Sequence, residues 1–292
     1  MERIYVQIPA YRDSELSATL IDLYAKAEAP ERVRTAVLWQ YGEGETLARK
    51  VQRLPNLDIV AVPSGGSQGC NWARSLLQQR WAGEAYTLLL DSHHRFVRGW
   101  DRLLVDMHRG LEEAGVAKPM LTAYLPAYDP LITLPYRSSQ PFKIYPLQRE
   151  QGMLLRLTSC PIPYWKTLAG PIEADFASLH FIFARGALNQ ELRFDPDIYF
   201  FGDEVLIGAR AFTSGYDMYH PHRVVGWHCY NRNSRVPHWD DHPDWHLRHR
   251  KALERIRRLL SGETSGDFGL GSARSLQAYE DRLLAPLVLE AA

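Results

Sequence analysis

The sequence predicts an α/β protein whose mostly parallel central sheet is flanked by helices. Three observations carry this. Up to residue 125, short apolar segments of strand character alternate with segments of helical periodicity, and such alternation builds a parallel sheet covered on both faces. The segment 86–90 (Tyr-Thr-Leu-Leu-Leu) is almost entirely apolar, as a strand buried on both sides must be. Hydrophobic residues make up 46% of 292 and charged residues 23%, enough apolar material for a sizeable core.

Taken in order, residues 4–8 read as the first strand. Residues 14–29 read as a helix, with Leu16, Leu20, Leu23 and Ala27 at helical spacing and Ser14 able to cap its start. The next strands are expected at 34–39 and 57–62. Residues 71–81 are helical, with Ala73, Leu76, Leu77 and Trp81 on one side. The strand 86–90 ends at Asp91; a helix is expected over 100–114 and a strand over 120–125. The Pro- and Tyr-rich middle, 126–171, is mostly irregular, although 143–147 and 153–157 can pair as a hairpin. Beyond it, 178–184 reads as a strand, 203–214 as a helix, and 217–222 and 224–227 as short strands. The tail from Tyr230 is polar and rich in His and Trp, then helical over 246–260. Residues 262–271 form a Gly/Ser linker, and 276–284 a last helix. The expected organisation is one domain over 1–260, with 261–292 as a linker and short helix packing on it.

Lys plus Arg number 34 and Asp plus Glu number 34. Zero net charge argues against a nucleic-acid partner. Three scattered cysteines, Cys70, Cys160 and Cys229, form neither a disulfide framework nor a zinc ribbon. They read as reduced thiols of a cytoplasmic protein. The N-terminus runs straight into a strand with no signal sequence, and no apolar run is long enough for membrane insertion.

Ligands of parallel sheets bind at the carboxyl ends of strands. Those ends here are residues 9–13 (Pro9, Ala10, Tyr11, Arg12, Asp13) and 91–94. Asp91 and His93 are two residues apart, so on an extended segment both point to one side and can share a cation. Oxygen plus imidazole nitrogen suits manganese or a similar divalent ion better than calcium. The alternative is a carboxylate that caps the next segment beside a surface histidine. His228, after the apolar 224–227, is a candidate third ligand, though there are 11 histidines. The tail cluster His238, His242, His246 and His249 is either a separate metal site or, as the composition favours, a solvated stretch or mobile lid; the His- and Trp-rich tail and the irregular, aromatic middle segment are also the expected walls for an acceptor. Residues 65–70, ending in Gly69 and Cys70, open the second helix and expose backbone N–H groups suited to phosphate; Arg74 lies one turn on. Asp203 and Glu204 begin a helix, where carboxylates favour the dipole. Alternatively they hold a sugar hydroxyl or face an acceptor, with Tyr199, Phe200 and Phe201 as a wall.

Three ordered blocks resemble glycosyltransferase family 60, the cytoplasmic hydroxyproline N-acetylglucosaminyltransferases and their bacterial relatives. They are Ile8-Pro9-Ala10-Tyr11-Arg12-Asp13-Ser14-Glu15-Leu16; Gly69-Cys70-Asn71-Trp72-Ala73-Arg74 followed by Leu90-Asp91-Ser92-His93-His94-Arg95-Phe96; and Tyr199-Phe200-Phe201-Gly202-Asp203-Glu204 with the later His228-Cys229-Tyr230-Asn231-Arg232. Ala10 and Ser14 depart from the family's usual Ser and Pro, and Asp203 stands where Glu is common. The resemblance implies a GT-A (Rossmann-like) fold, a UDP-sugar donor with UDP-N-acetylglucosamine as the expected one, and transfer with retention to a hydroxyl on a protein, glycan or small molecule. It implies Mn2+ or Mg2+ held by Asp91, His93 and His228. Pro9, Ala10, Tyr11, Arg12, Asp13, Gly69, Arg74, Asp91 and Ser92 then bind the donor, and Asp203 and Glu204 act in catalysis. Because imidazole binds metal only when neutral, activity is expected to fall in mild acid. Two other classes remain open: a non-haem Fe(II) oxygenase with an Asp/His/His triad, and a UDP-sugar-binding module without catalysis.

Overall fold

A computed structural model of the chain describes residues 2–132, 137–233, 235–263 and 266–289. Its first half is β1 (Ile4–Tyr11), α1 (Leu16–Lys26), β2 (Val33–Tyr41), β3 (Leu57–Pro63), α2 (Cys70–Gln78), β4 (Tyr86–Leu90), β5 (His94–Phe96), α3 (Trp100–Glu113) and β6 (Pro119–Thr122). Then come β7 (Phe142–Glu150), β8 (Met153–Pro161), β9 (Ile172–Glu173), β10 (Phe181–Arg185), α4 (Leu188–Glu191), α5 (Asp203–Thr213), β11 (Asp217–His220), β12 (Gly226–His228), α6 (His238–Asp241), α7 (Trp245–Leu260) and α8 (Leu276–Leu283).

The central sheet has eight strands in the order β3-β2-β1-β4-β10-β6-β11-β9. β1 pairs in parallel with β2 and β4, and β2 with β3. This is the α/β arrangement that the alternation predicts. β4 is buried along its whole length, which explains its near-lack of polar residues. β10 runs antiparallel to both β4 and β6. No helical crossover joins β6 to β10, because the chain first makes the β7–β8 hairpin, so the rule of strict alternation ends at β6. β10 begins at Phe181 rather than 178, because the Ser178 N–H is taken by Thr122 Oγ1 in a turn.

Two large apolar clusters flank the sheet, and a smaller third one packs Ala73 and Leu77 of α2 on Tyr5, Ala36 and Leu38. One of the large clusters joins β1, α1, β4 and α3; Trp100 and Leu20 lie within it, fully buried. The other joins α5, α7, α8 and the hairpin. Of the expected linker, residues 262, 263 and 266–271 are described; residues 264 and 265 lie outside the described residues. Phe268 and Leu270 lie against the second cluster. The Arg210 guanidinium donates to the carbonyls of Gly269, Asp267 and Arg193 at 3.1, 3.0 and 2.7 Å. Among the described residues, no helix is long and apolar enough to cross a membrane.

The smallest strands carry a candidate ligand. β12 does not join the main sheet; it pairs antiparallel with β5, setting His228 opposite His94 and Gly226 opposite Phe96. Sequence periodicity places a strand at 224–227, two residues early, and finds no β5, because three-residue strands carry too little pattern. A Cβ on Gly226 would stand 2.5 Å from the Arg95 carbonyl oxygen, so only glycine permits this approach. Gly226→Ala is expected to lower unfolding free energy by about 1–3 kcal/mol in urea denaturation. An unchanged midpoint would show that the contact does not constrain β12.

Candidate functional site

Asp91 leaves the carboxyl end of β4, and the bend through Ser92 brings His93 back beside it. His228, at the end of β12, arrives from the other side. Asp91 Oδ2 lies 3.8 Å from His93 Nε2 and 3.4 Å from His228 Nε2. One ligand atom from each residue lies within 4.8 Å of the other two. Backbone bonds fix these positions: the Cys229 N–H donates to the His93 carbonyl at 3.0 Å, and the His228 N–H to that of Pro126 at 3.1 Å. Buried Thr19 holds the bend, donating to the Ser92 carbonyl at 2.8 Å and accepting the His94 N–H at 2.9 Å.

The donor set fits a divalent cation on two further observations. Asp13, nearly buried, accepts from His93 Nδ1 at 2.6 Å and from Ser92 Oγ at 2.6 Å. That bond assigns the Nδ1–H tautomer and turns the Nε2 lone pair towards Asp91, as carboxylate–histidine pairs do behind metal ligands. His93 Nε2 is buried, with no hydrogen-bond partner among the described residues. The His228 ring stacks on His180 at 4.2 Å and lies 4.6 Å from the His93 ring. Burial, together with the neighbouring imidazoles and against the pull of Asp91, holds His228 well below the usual imidazole range. It is therefore neutral, the form that binds metal. The mild-acid loss expected from histidine in general is thus shifted, for His228, to stronger acid. Burial alone would raise Asp91, but the His228 hydrogen bond and the Arg74 guanidinium hold it well below the usual carboxylate range.

Arg74 stands between two carboxylates. Its guanidinium is 3.2 Å from Asp203 Oδ2 and 3.6 Å from Asp91 Oδ1, and it donates to Asn71 Oδ1 and the Leu179 carbonyl at 3.0 and 3.2 Å. Asp203 opens α5 after Gly202. Burial, reinforced by the charge of Glu204 and opposed by Arg74, raises it to about 7. Glu204 accepts the Leu179 N–H at 2.9 Å and a bond from Tyr124 OH; burial raises it too.

A pocket opens in front of this cluster. Pro9, Tyr11, Gly69, Arg74, Asp91, Ser92 and His93 line it, as the sequence suggests, together with Cys70, Tyr199 and Phe200. The structure does not bring the remaining candidates to its surface. Ala10 is fully buried in the core. Arg12 and Asp13 face a neighbouring concavity with Trp39 and Glu45. Asp203 and Glu204 stand behind Arg74, and His228 behind Asp91. The His- and Trp-rich tail, expected as an acceptor wall, supplies His238 and Trp239, while Gln40, Arg235, Val236 and Pro237, which the sequence does not single out, complete the lining with Arg232. The tail is not a solvated stretch here. His238 and His242 stack at 3.9 Å, His238 lies 4.7 Å from Tyr11, and its Nδ1 meets Tyr199 OH at 2.6 Å. The signal in the sequence is the aromatic content of 238–245, which makes a wall and not merely a polar stretch.

The family model described as Glycosyltransferase (GlcNAc) matches residues 3–56 and 47–281. No curated protein matches the sequence closely enough to count as a relative. Among solved structures, GalNAc-T7 with UDP, GalNAc and Mn2+ superposes with a TM-score of 0.63 at 12% identity, over 98% of this chain and 55% of that one. TarS 1-349 of S. aureus in complex with UDP-GlcNAc gives 0.57 at 14%, over 96% and 70%; S. aureus TarS gives 0.53 at 14%, over 97% and 42%. The chain thus spans about half the length of the GalNAc-T7 chain. At these identities the likeness is one of fold, and that fold is the expected GT-A type.

The raised Asp203 makes a signed prediction. The folded chain keeps the proton of Asp203 up to about 7, whereas the unfolded chain releases it near the ordinary Asp value. The stability that this proton confers is present below the unfolded value and is lost as pH rises through about 7. Relative to wild type, Asp203→Asn should therefore gain roughly 2–4 kcal/mol between pH 5 and 8, read by urea unfolding in chelator. A difference that stays flat or shrinks across that range would contradict the burial argument.

Proposed function

The chain belongs to the Glycosyltransferase (GlcNAc) family, and from that premise we propose that it transfers N-acetylglucosamine from UDP-N-acetylglucosamine to an acceptor hydroxyl, with a divalent cation, Mn2+ or Mg2+. The observation that carries the reading is the Asp91, His93 and His228 set, backed by Asp13, at the carboxyl end of a buried parallel strand and beside an arginine-bearing pocket. The donor and metal find support in what the similar folds hold: UDP, GalNAc and Mn2+ in GalNAc-T7, UDP-GlcNAc in TarS. The finer placement, with glycosyltransferase family 60 and the hydroxyproline enzymes, rests on the ordered blocks, and retention at the anomeric carbon rests on that resemblance. Residues 1–260 are proposed as the transferase unit and 261–292 as its packed extension. The acceptor is a hydroxyl on a protein, a glycan or a small molecule.

In this reading Asp91, His93 and His228 hold the cation, which when bound supplies Lewis-acid stabilisation of the leaving diphosphate. Pro9, Tyr11, Gly69 and Ser92 frame the nucleotide. Arg232, exposed at the pocket and 5.0 Å over the Trp239 ring, offers forked donors to phosphate oxygens. Arg74 keeps Asp91 ionised and in place. Asp203 and Glu204, at the start of α5, orient the sugar or the acceptor hydroxyl through that same buried network. The iron-oxygenase alternative loses its ground, because it belongs with all-β double-sheet proteins, not with this mostly parallel sheet flanked by helices.

Two measurements test the proposal. Asp91→Ala and His93→Ala are each expected to lower Mn2+-dependent hydrolysis of UDP-N-acetylglucosamine by at least about a hundredfold, as loss of a metal ligand should; unchanged turnover in both sinks the metal assignment. Asp13→Asn should weaken Mn2+ binding about 10–100-fold in calorimetry while leaving the three ligands intact. Wild-type binding of UDP-sugar with neither hydrolysis nor transfer would instead favour a non-catalytic binding module.

A further inference from the structure

Arg12 follows β1 in the left-handed backbone region, with φ of +42°, a conformation uncommon for arginine and held only where its surroundings over-determine it. The turn directs its side chain away from Asp91. Its Nη1 donates to both carboxylate oxygens of Asp241, at 2.7 and 2.9 Å. Its Nε donates to Glu45 Oε1 at 3.2 Å, and Glu45 Oε2 accepts the Gly42 N–H at 3.0 Å. Room for the guanidinium exists because residue 42 is glycine: a Cβ there would lie 2.6 Å from Arg12 Nε. Asp241 also accepts Tyr11 OH at 2.6 Å. The backbone of Arg12 is tied on both sides, its N–H donating to the Gln40 carbonyl at 2.9 Å and its own carbonyl accepting the Val236 N–H at 3.2 Å.

We propose that Arg12 is a positioning residue, a clasp that joins residues 235–241 to the ends of β1 and β2, and that donor affinity depends on it through this wall rather than through contact with the donor. The dependence of donor affinity rests on the proposed UDP-sugar donor. Residues 235–241 supply Val236, Pro237, His238 and Trp239 to the pocket, yet none of these four belongs to an apolar core cluster. An isolated exposed ion pair would contribute little. This one is about three-quarters shielded on both sides, engages both carboxylate oxygens and is braced by Glu45, Gly42 and Tyr11. Networks of that kind are where ion pairs do contribute.

The test uses the full chain and two readouts. The first is amide hydrogen exchange over 235–241, with Val236 the central probe, in wild type, Arg12→Ala, Asp241→Asn, Gly42→Ala and the Arg12→Ala/Asp241→Asn double variant. Each single variant should speed exchange there about tenfold, with β4 and α1 unchanged. The double variant should exceed the larger single variant by no more than about twofold, because both remove one interaction. Gly42→Ala dislodges the guanidinium without removing a charge, so it separates the clasp from a general charge effect. The second readout is steady-state kinetics with UDP-N-acetylglucosamine, where KM should rise about tenfold and kcat change less than about threefold, a split that removal of uniform binding produces. Partial unfolding would lower kcat and leave KM. Unchanged exchange in all three single variants, or multiplicative effects in the double variant, overturns the clasp. Faster exchange with an unchanged KM overturns its link to the donor. If wild type neither binds nor turns over the donor, the donor link falls with the donor reading, and exchange still decides the clasp.

Discussion

The candidate cation site depends on one steric allowance, the contact of Gly226 with the Arg95 carbonyl. Asp91 and His93 come from the end of the parallel half of the sheet, and His228 from a short strand far along the chain. Side-chain flexibility alone would leave such ligands at variable separation. Here the backbone sets it. β12 pairs with β5, the Cys229 N–H bonds to the carbonyl of His93 itself, and His228 is held again on its other edge by Pro126 and Tyr128. A ligand set fixed by main-chain hydrogen bonds keeps its geometry before anything binds, which is what preorganised sites require. A methyl group at position 226 would push against carbonyl oxygen, and the displacement would pass directly to His228.

Around that frame, burial sorts the ionisable groups into opposite states. Asp91 is kept ionised by imidazole and guanidinium neighbours, while Asp203, on the far side of the same guanidinium, is raised to about 7. The two carboxylates share Arg74 but not an environment. Asp91 has two imidazoles beside it; Asp203 has Glu204, a carboxylate of its own sign, next in sequence. Pairs of titratable groups pushed apart in this way are the usual mark of divided roles. The His94, His180 and His228 rings, all held well below the ordinary range, add bulk and packing without adding positive charge. That lets a dense imidazole cluster sit beside a place where a cation would bind.

The sequence is most legible where local pattern and tertiary fate coincide. β1 to β4 and α1 to α3 declare themselves by period and by burial, and Asp91 is found because it ends the most apolar segment. His93 follows from its spacing to Asp91, although the segment proves to be a bend rather than an extended strand. Legibility fails where the deciding contact is remote. The order Tyr11-Arg12-Asp13 suggests three residues facing one ligand. The left-handed turn at Arg12 breaks the alternation of faces, leaving Tyr11 in the pocket, Arg12 on Asp241 and Asp13 behind His93. The family blocks make Asp13 a donor contact, and its bond to His93 across 80 residues has no local signature. Aromatic content marks the tail as a wall, yet the tilted contact of His238 with Tyr11 and its stacking on His242 are arrangements that composition does not encode.

Two kinds of construction therefore meet in the pocket. The floor, with Asp91, His93 and His228, is built on strands buried in the first apolar cluster and stitched by backbone bonds. The wall over residues 235–241 is attached mainly by polar links: Asp241 to Arg12 and Tyr11, His238 to Tyr199 and Ser67, with His242 bonded next to it to the Ser64 carbonyl. Apolar burial is cooperative across a whole cluster, whereas polar links can be exchanged one at a time. A wall so attached opens at lower free energy than the floor does. It can also change its lining residues without disturbing the ligand set beneath, as binding loops on a rigid scaffold do.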